Sequence, residues 1–340
     1  MSERLRVAVL AGGRSSEHAI SQASARSVLE ALDPARYEST TIEIGRDGRW
    51  ELAAGSSPAG LPAHVGETLP VLAQSSSPAL VLGKVDVVLP ILHGPFGEDG
   101  TVQGLLELAG VPYVGAGVAA SALCMDKDLF KAVLRDRSIP VAKNVTLREG
   151  DPAEHPFPYP VFVKPARLGS SVGISKVHDE TELHDAVALA RRHDDKVLIE
   201  EMVEGVEVEC GVLGNSNPIA SEVGEIVAHA EWYDYSAKYD EGGMDLVVPA
   251  RIAPEAIEEV RRLAVESFVA TECEGMARID FFVRPGGEVV VNELNTIPGF
   301  TSTSVYAKLF EASGISYSEL LDWLIELALE RHERRSRLEF

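Results

Sequence analysis

Cysteine is scarce. The chain of 340 residues has three, Cys124, Cys210 and Cys273, and their positions do not match zinc-ligand spacing. They read as small buried hydrophobes in a reducing compartment, so a cytoplasmic protein is expected. Long apolar runs are missing. None reaches the roughly 18 residues a membrane helix needs. Met1 to Arg6 has no signal-peptide character and leads straight into the apolar run Val7-Ala8-Val9-Leu10. No membrane partner is expected. Basic charge is also short. The 31 Lys and Arg face 53 Asp and Glu, a formal net charge of -22. That excludes nucleic acid as a main partner, because phosphate binding needs a basic footprint. Against such a background, a local cluster of Lys and Arg is informative, since an anionic ligand would need it. No internal repeat is present. Gly12-Gly13 is followed by Arg14-Ser15-Ser16, so the Gly-x-Gly-x-x-Gly fingerprint is broken and a nicotinamide site is not expected.

What is present reads as α/β, long enough for two or three domains. Strands are expected at 5–10, 37–44, 85–92 and 111–114, with helices at about 15–32 and 102–109. Alternation of this kind argues for a parallel sheet. Ser15 is a candidate N-cap of the first helix. The Ser-, Pro- and Gly-rich stretch 53–79 reads as surface loop. Further on, helices are expected at about 126–136, 180–191, 254–271 and 305–312, and from Ser316 onward. Strands are expected at 160–165, 172–177, 197–201 and 207–212. Residues 228–246 read as irregular, and the charged tail from Arg331 to Phe340 as fraying.

The strongest local signal lies at Arg278-Ile279-Asp280 and Glu293-Leu294-Asn295. Two apolar runs flank Arg284-Pro285-Gly286-Gly287, a β-hairpin pattern. With Gly286-Gly287 as a two-residue loop, Asp280 falls opposite Glu293 and Arg278 opposite Asn295. All four side chains then share a face. Facing carboxylates destabilise a sheet, and with an amide beside them they suit a hard divalent cation such as Mg²⁺. The plain alternative is a solvated face.

Other segments carry weaker signals. Lys164 ends an apolar strand, where most lysines simply reach for water. The loop Arg167-Leu168-Gly169-Ser170-Ser171-Val172-Gly173 follows it. This loop is rich in donors that could cover phosphates, and with Lys164 beside it phosphate binding is the favoured reading over a plain flexible hairpin turn. No Gly-Lys-Ser/Thr follows, so it is not a Walker motif. Glu200, Glu201, Val203 and Glu207 lie at a strand end and the next strand. They suit a purine and a ribose, or serve as an acidic linker. Glu17 near a helix start fits a substrate ammonium, or only the helix dipole. His93 at a strand end is similarly open. Trp232 to Tyr239 sits in a long irregular segment of the kind that forms lids. Gly299 offers an N–H to an oxyanion. Ser304 opens a helix, where a ligand carboxylate is favoured.

Taken in order, these pieces resemble the ATP-grasp superfamily, and closely the D-alanine–D-alanine ligases of peptidoglycan synthesis. The resemblance spans nearly the whole chain. It rests on Gly12-Gly13-Arg14-Ser15-Ser16-Glu17, Leu92-His93-Gly94, Met125-Asp126-Lys127, Val163-Lys164-Pro165, Gly169-Ser170-Ser171-Val172-Gly173, Tyr233 to Tyr239, Arg278-Ile279-Asp280 and Glu293 to Gly299. It implies an N-terminal α/β domain at 1–115 and a two-part ATP-grasp fold at 116–203 and 204–340, with a lid at about 228–246. It implies ATP between two sheets of the grasp region. Lys127, Lys164, Ser170 and Ser171 would lie on its phosphates, with Glu200, Glu201 and Val203 at the adenine and Glu207 at the ribose. Phe282 and Asn295 complete the ATP set. Asp280, Glu293 and Asn295 would hold two Mg²⁺, with Mn²⁺ as a substitute. Glu17 would bind the ammonium of the first D-alanine beside Ser170 and Tyr239, with His93 in the same substrate set. Ser304 would take the carboxylate of the second. Arg278 and the Gly299 N–H would steady the oxyanion, and Lys238 would close over the γ-phosphate. A cytoplasmic homodimer is the family's habit.

Departures are modest. Glu201 replaces a lysine seen in some relatives, Ile297 and Val305 differ by one side chain from the commonest pattern, and 53–79 is longer than in short relatives. Tyr239 favours dipeptide over depsipeptide synthesis. Two other readings stand beside the ligase: a nucleotide-binding module without catalysis, and a ligase of D-alanine with D-lactate or D-serine.

Overall fold

The structure, a computed structural model, describes residues 4–52, 82, 85–228 and 243–339. The expected loop at 53–79 and the lid residues Trp232 to Tyr239, with Lys238, lie outside these residues. In chain order the first elements are β1 (Leu5–Gly12), α1 (His18–Ala31), β2 (Tyr37–Ile44), β3 (Trp50–Leu52), β4 (Val87–Pro90) and α2 (Thr101–Ala109). They build a sheet of order β3-β2-β1-β4 in which β2, β1 and β4 run parallel. β1 is buried on both faces, which explains its unbroken apolar run. The expected strand at 111–114 reduces to one bridge, Val88 to Tyr113.

Two helices follow where one was expected, α3 (Val118–Met125) and α4 (Lys127–Asp136). Asp126 divides them, its side chain accepting from the Leu129 N–H at the start of α4. β5 (Asn144–Leu147), β6 (Val161–Pro165), β7 (Ser175–Val177), α5 (Glu180–Arg191) and β8 (Val197–Glu201) form the middle layer. Its antiparallel sheet has the order β5-β8-β6-β7. The last elements are β9 (Val206–Gly214), β10 (Ile219–Ala228), β11 (Met244–Val247), α6 (Pro254–Ala270), β12 (Gly275–Val283), β13 (Val289–Asn295), α7 (Val305–Ala312) and α8 (Tyr317–Ser336). Their antiparallel sheet has the order β11-β10-β9-β12-β13.

Three further expectations of the fold are corrected. β10 and β11 stand where the sequence pattern showed no strand. A register shift between Ala220 and Val223 breaks the two-residue period that would have revealed β10. The β12–β13 turn is not a two-residue loop. The Gly287 N–H donates to Arg284 O and the Arg284 N–H to Glu288 O, leaving three loop residues with Gly287 at φ 83. That moves Val283 opposite Val289. A bulge between Asp280 and Phe281 then restores Asp280 opposite Glu293 and Arg278 opposite Asn295. The facing pairs are as expected, reached by two offsets that cancel.

The tail is the third correction. α8 runs to Ser336, and Arg331 is buried. Its guanidinium lies over the Tyr113 ring and donates to Tyr113 O (2.7 Å) and Gly115 O. A buried cation is tolerable when backbone carbonyls receive its donors. On the same helix Leu320, Leu321 and Leu324 enter one core with Val7, Val9, Val28 and Leu89 of the first layer and Met276 and Ile297 of the last. Full burial of a leucine is worth about 1.5–3 kcal/mol, so the chain's end clamps its first sheet to its third.

Candidate active site

Two cavities lie side by side where the three sheets converge. The first, about 260 Å³, opens between the middle sheet and the β12–β13 hairpin. Every residue expected to contact ATP lines it except Asn295, which lines its neighbour. Lys127, at the start of α4, donates to Leu168 O (2.9 Å) and lies 3.3 Å from Glu293 Oε2. It thereby ties the 167–173 loop to the hairpin. Ser170 and Ser171 both have φ near +55 (55 and 56), a conformation L side chains adopt at a cost and one that clusters at ligand clamps.

Glu200 lines this cavity, with its carboxylate turned to two lysines. Oε1 accepts from Lys164 Nζ at 2.7 Å, and Oε2 lies 2.6 Å from Lys131 Nζ. Burial pushes Glu200 up, but the two ammoniums outweigh it and hold it below its usual range. Burial also pulls Lys131 down to about 8, against the attraction of Glu200. One carboxylate thus sits beneath two cations. For a purine, the backbone and the side chains of Glu201 and Val203 remain on the cavity wall. Lys131 was missed from sequence, although it follows Lys127 by four residues and so shares its helix face.

On the hairpin, Asp280 is buried. Arg278 grips it with two hydrogen bonds, Nε to Oδ1 and Nη2 to Oδ2, both 2.8 Å. Arg278 Nε is also 2.8 Å from Glu209 Oε2 on β9. Asn295 Nδ2 donates to Asp280 Oδ2 at 3.1 Å, so its Oδ1 is the atom a cation would take. The donor set of Asp280, Glu293 and Asn295 is hard oxygen throughout and fits Mg²⁺ completed by phosphate oxygens. Among the described residues, no group of three or more His, Cys, Asp or Glu has the arrangement of a metal cage.

The second cavity, about 410 Å³, takes its walls from all three layers. Glu17, Ser24, His93 and Glu98 come from the first, Gly169 and Ser170 from the middle, and Arg278, Glu293, Asn295, Gly299 and Ser304 from the last. Glu17 precedes α1 and is buried. Ser15 is not the helix cap expected. Its Oγ donates to His93 O (2.7 Å) and accepts from the Glu17 N–H (3.2 Å), fastening the two loops together. Gly94 has φ 73, and a Cβ there would lie 2.5 Å from Glu17 Oε2, so only glycine admits that carboxylate. His93 bridges Ser24 Oγ (Nε2, 3.2 Å) and Ile297 O (Nδ1, 3.0 Å). Burial holds it below its usual value, against the charge of Glu17.

Ser304 is the N-cap of α7 without capping it through its side chain. Its Oγ instead accepts from the Thr301 N–H at 3.0 Å. The helix N-terminus therefore faces the cavity with its side-chain cap position open to an anionic group. Glu98, missed from sequence, accepts the Gly94 N–H (2.8 Å) and the Ile297 N–H (2.9 Å). It keeps some surface open to the cavity, yet burial and the charge of Glu17 push it up to about 8. Its only sequence signal was a place five residues after His93. The two cavities share Gly169, Ser170 and Glu293, so a group bound in one can react with a group bound in the other.

Two family models match the chain, "D-ala D-ala ligase N-terminus" over residues 6–116 and "D-ala D-ala ligase C-terminus" over residues 133–326. A D-alanine–D-alanine ligase of Solibacter usitatus is 49% identical over 337 residues, covering 98% of each chain. The D-alanine–D-alanine ligase structure from Coxiella burnetii superposes with a TM-score of 0.85 at 40% identity, covering 99% of this chain and 97% of that one. The VanG D-Ala:D-Ser ligase structure from Enterococcus faecalis gives 0.82 at 37% identity, covering 96% and 100%.

Proposed function

The chain belongs to the D-alanine–D-alanine ligase family, and from that premise we propose how its residues carry the reaction. It has the ATP-grasp fold, and it joins two D-alanine molecules at the expense of ATP, forming ADP, in peptidoglycan synthesis. A carboxylate is a poor electrophile at neutral pH. Transfer of the γ-phosphoryl group makes D-alanyl phosphate, and the amine of the second D-alanine then attacks its carbonyl carbon. The carbon–nitrogen bond forms, phosphate leaves, and the ammonium proton is lost. The observation that carries this reading is the pair of cavities meeting at Gly169, Ser170 and Glu293.

In our reading Lys127, Lys164, Ser170 and Ser171 hold the phosphates, opposing their charge with cations and donors. The 200–203 segment and Phe282 hold the adenine and Glu207 the ribose. Glu17 takes the ammonium of the first D-alanine beside His93, which burial holds below its usual basicity. Arg278 and the Gly299 N–H face the developing oxyanion. Ser304 and the start of α7 take the second carboxylate. Asp280, Glu293 and Asn295 would hold two Mg²⁺ or Mn²⁺, which when bound neutralise phosphate charge. Lys238 and Tyr239, on the lid at about 228–246, would keep water from the acyl phosphate. The division at 1–115, 116–203 and 204–340 is supported by one sheet falling in each segment. Family membership supports a cytoplasmic homodimer. No helix of the described residues is long and apolar enough to cross a membrane.

The test is ADP release with ATP and Mg²⁺, comparing D-alanine, L-alanine, and D-alanine with D-lactate or D-serine. Turnover with D-alanine alone, yielding the dipeptide, is expected. ADP only when D-lactate or D-serine is added would move the acceptor assignment. ATP binding without ADP in any mixture would leave a binding module.

A further inference from the structure

Glu98 lies outside every role assigned above, yet it reaches across two layers of the molecule. Its loop belongs to the first domain. One carboxylate oxygen accepts from Gly94 of that loop, and the other accepts from Ile297, which follows β13 of the last sheet. His93 of the same loop holds the carbonyl of the same residue, Ile297. Both backbone groups of Ile297 are therefore gripped from the first domain.

The next residues are Pro298 and Gly299. Proline fixes φ near −65°, so the orientation of Ile297 passes on to Gly299 with little slack. Gly299 sits beside Ser304, and a Cβ on it would lie 3.4 Å from Ser304 Oγ. We propose that Glu98 is a positioning residue for the second half-reaction, fixing Ile297 so that the Gly299 N–H and the Ser304 site stand in register with the acyl phosphate. This rests on the ligase reading and deepens it. First-domain residues would act on the acceptor side of the reaction through the backbone of the last domain. Lys127, Lys164 and the nucleotide cavity have no part in that link.

The test is Glu98→Gln in the full chain, with Glu98→Asp beside it. An amide has one acceptor oxygen, so Gln can satisfy only one of the two N–H groups. Asp keeps the carboxyl group but is one methylene too short to reach both. Three quantities are read: KM for ATP, the two KM values of the D-alanine titration, and the ratio of ADP to dipeptide. Both variants should raise the KM of the second D-alanine about tenfold. KM for ATP should stay within about twofold, and ADP should exceed dipeptide as misplaced acyl phosphate is hydrolysed. Unchanged acceptor KM and a one-to-one product ratio would overturn the proposal. So would an equal loss in the ATP and D-alanine parameters, which marks a merely structural contact. If Glu98→Gln does not fold, Glu98→Asp decides on the same readouts. A wild-type chain that makes no dipeptide sinks the ligase reading itself, and the proposal with it.

Discussion

The two cavities are neighbours of similar polarity, built in opposite ways. The nucleotide cavity draws on residues 127 to 293, from the start of α4, the middle sheet and its 167–173 loop, β9 and the β12–β13 hairpin. Its charges are paired locally, Glu200 with Lys131 and Lys164, and Lys127 with Glu293. The substrate cavity spans residues 17 to 305 and all three layers. Among the described residues its wall carries Glu17, Glu98 and Glu293 around the guanidinium of Arg278. A polyanion such as ATP needs preformed cations on stiff elements. A zwitterion needs one site of each sign held apart, which separate domains can supply. Nucleotide binding should therefore survive changes that ruin acceptor placement, and the reverse should hold as well.

The largest effect is expected where the two cavities share a residue. Glu293→Gln removes a carboxylate that lines both, and ADP formation should fall about 10³-fold while circular dichroism stays unchanged. Turnover near wild type would break the comparison at its centre. Lys131→Met touches the nucleotide side alone. With one of its two cations gone, Glu200 should hold Lys164 more tightly away from the phosphates. KM for ATP should rise about tenfold while both D-alanine KM values hold; equal shifts in all three would show that the cavities are not separable.

On the substrate side the change is one of selectivity. Tyr239→Phe should raise the share of D-alanyl-D-lactate when D-alanine and D-lactate compete, if Tyr239 has the place beside Glu17 and Ser170 that the family resemblance implies. An unchanged product ratio would remove Tyr239 from the site.

The smallest effect is on stability. Burial, with the charge of Glu17, raises Glu98 from 4.5 to about 8. Between those values the folded chain keeps a proton that the unfolded chain has released. This contribution is full below pH 4.5 and is lost as pH rises through 8. Wild type should therefore lose roughly 5 °C of Tm relative to Glu98→Gln between pH 5 and pH 9. Parallel Tm curves would show that Glu98 does not titrate in that window.

How much of this was legible from sequence divides along the same line. The spans of β2, α5, β8 and α7 were readable to the residue, because period and capping are local. The residues that line the first cavity were picked out too, through Lys164 at a strand end and the glycine- and serine-rich loop that follows it. Lys131 escaped because a buried lysine looks like any helical lysine until Glu200 is brought over it. β10 escaped because a bulge destroyed its period. Arg331 read as part of a fraying tail because the carbonyls of Tyr113 and Gly115 that receive it lie more than 200 residues away.

By itself the sequence determined the type of most elements and the family to which the chain belongs, while the facing pairs of the hairpin came out as expected only because the turn and the bulge offset each other. Type and family rest on periodicity, turn chemistry and short motifs, all interactions between near neighbours in the chain. Only the tertiary structure decided that Glu200 balances two lysines, that α8 clamps the first sheet to the third, and that Glu98 and His93 grip Ile297 from another layer. A buried charge is stable only beside a partner, and here the partner stands on a different element, in a position no local pattern encodes.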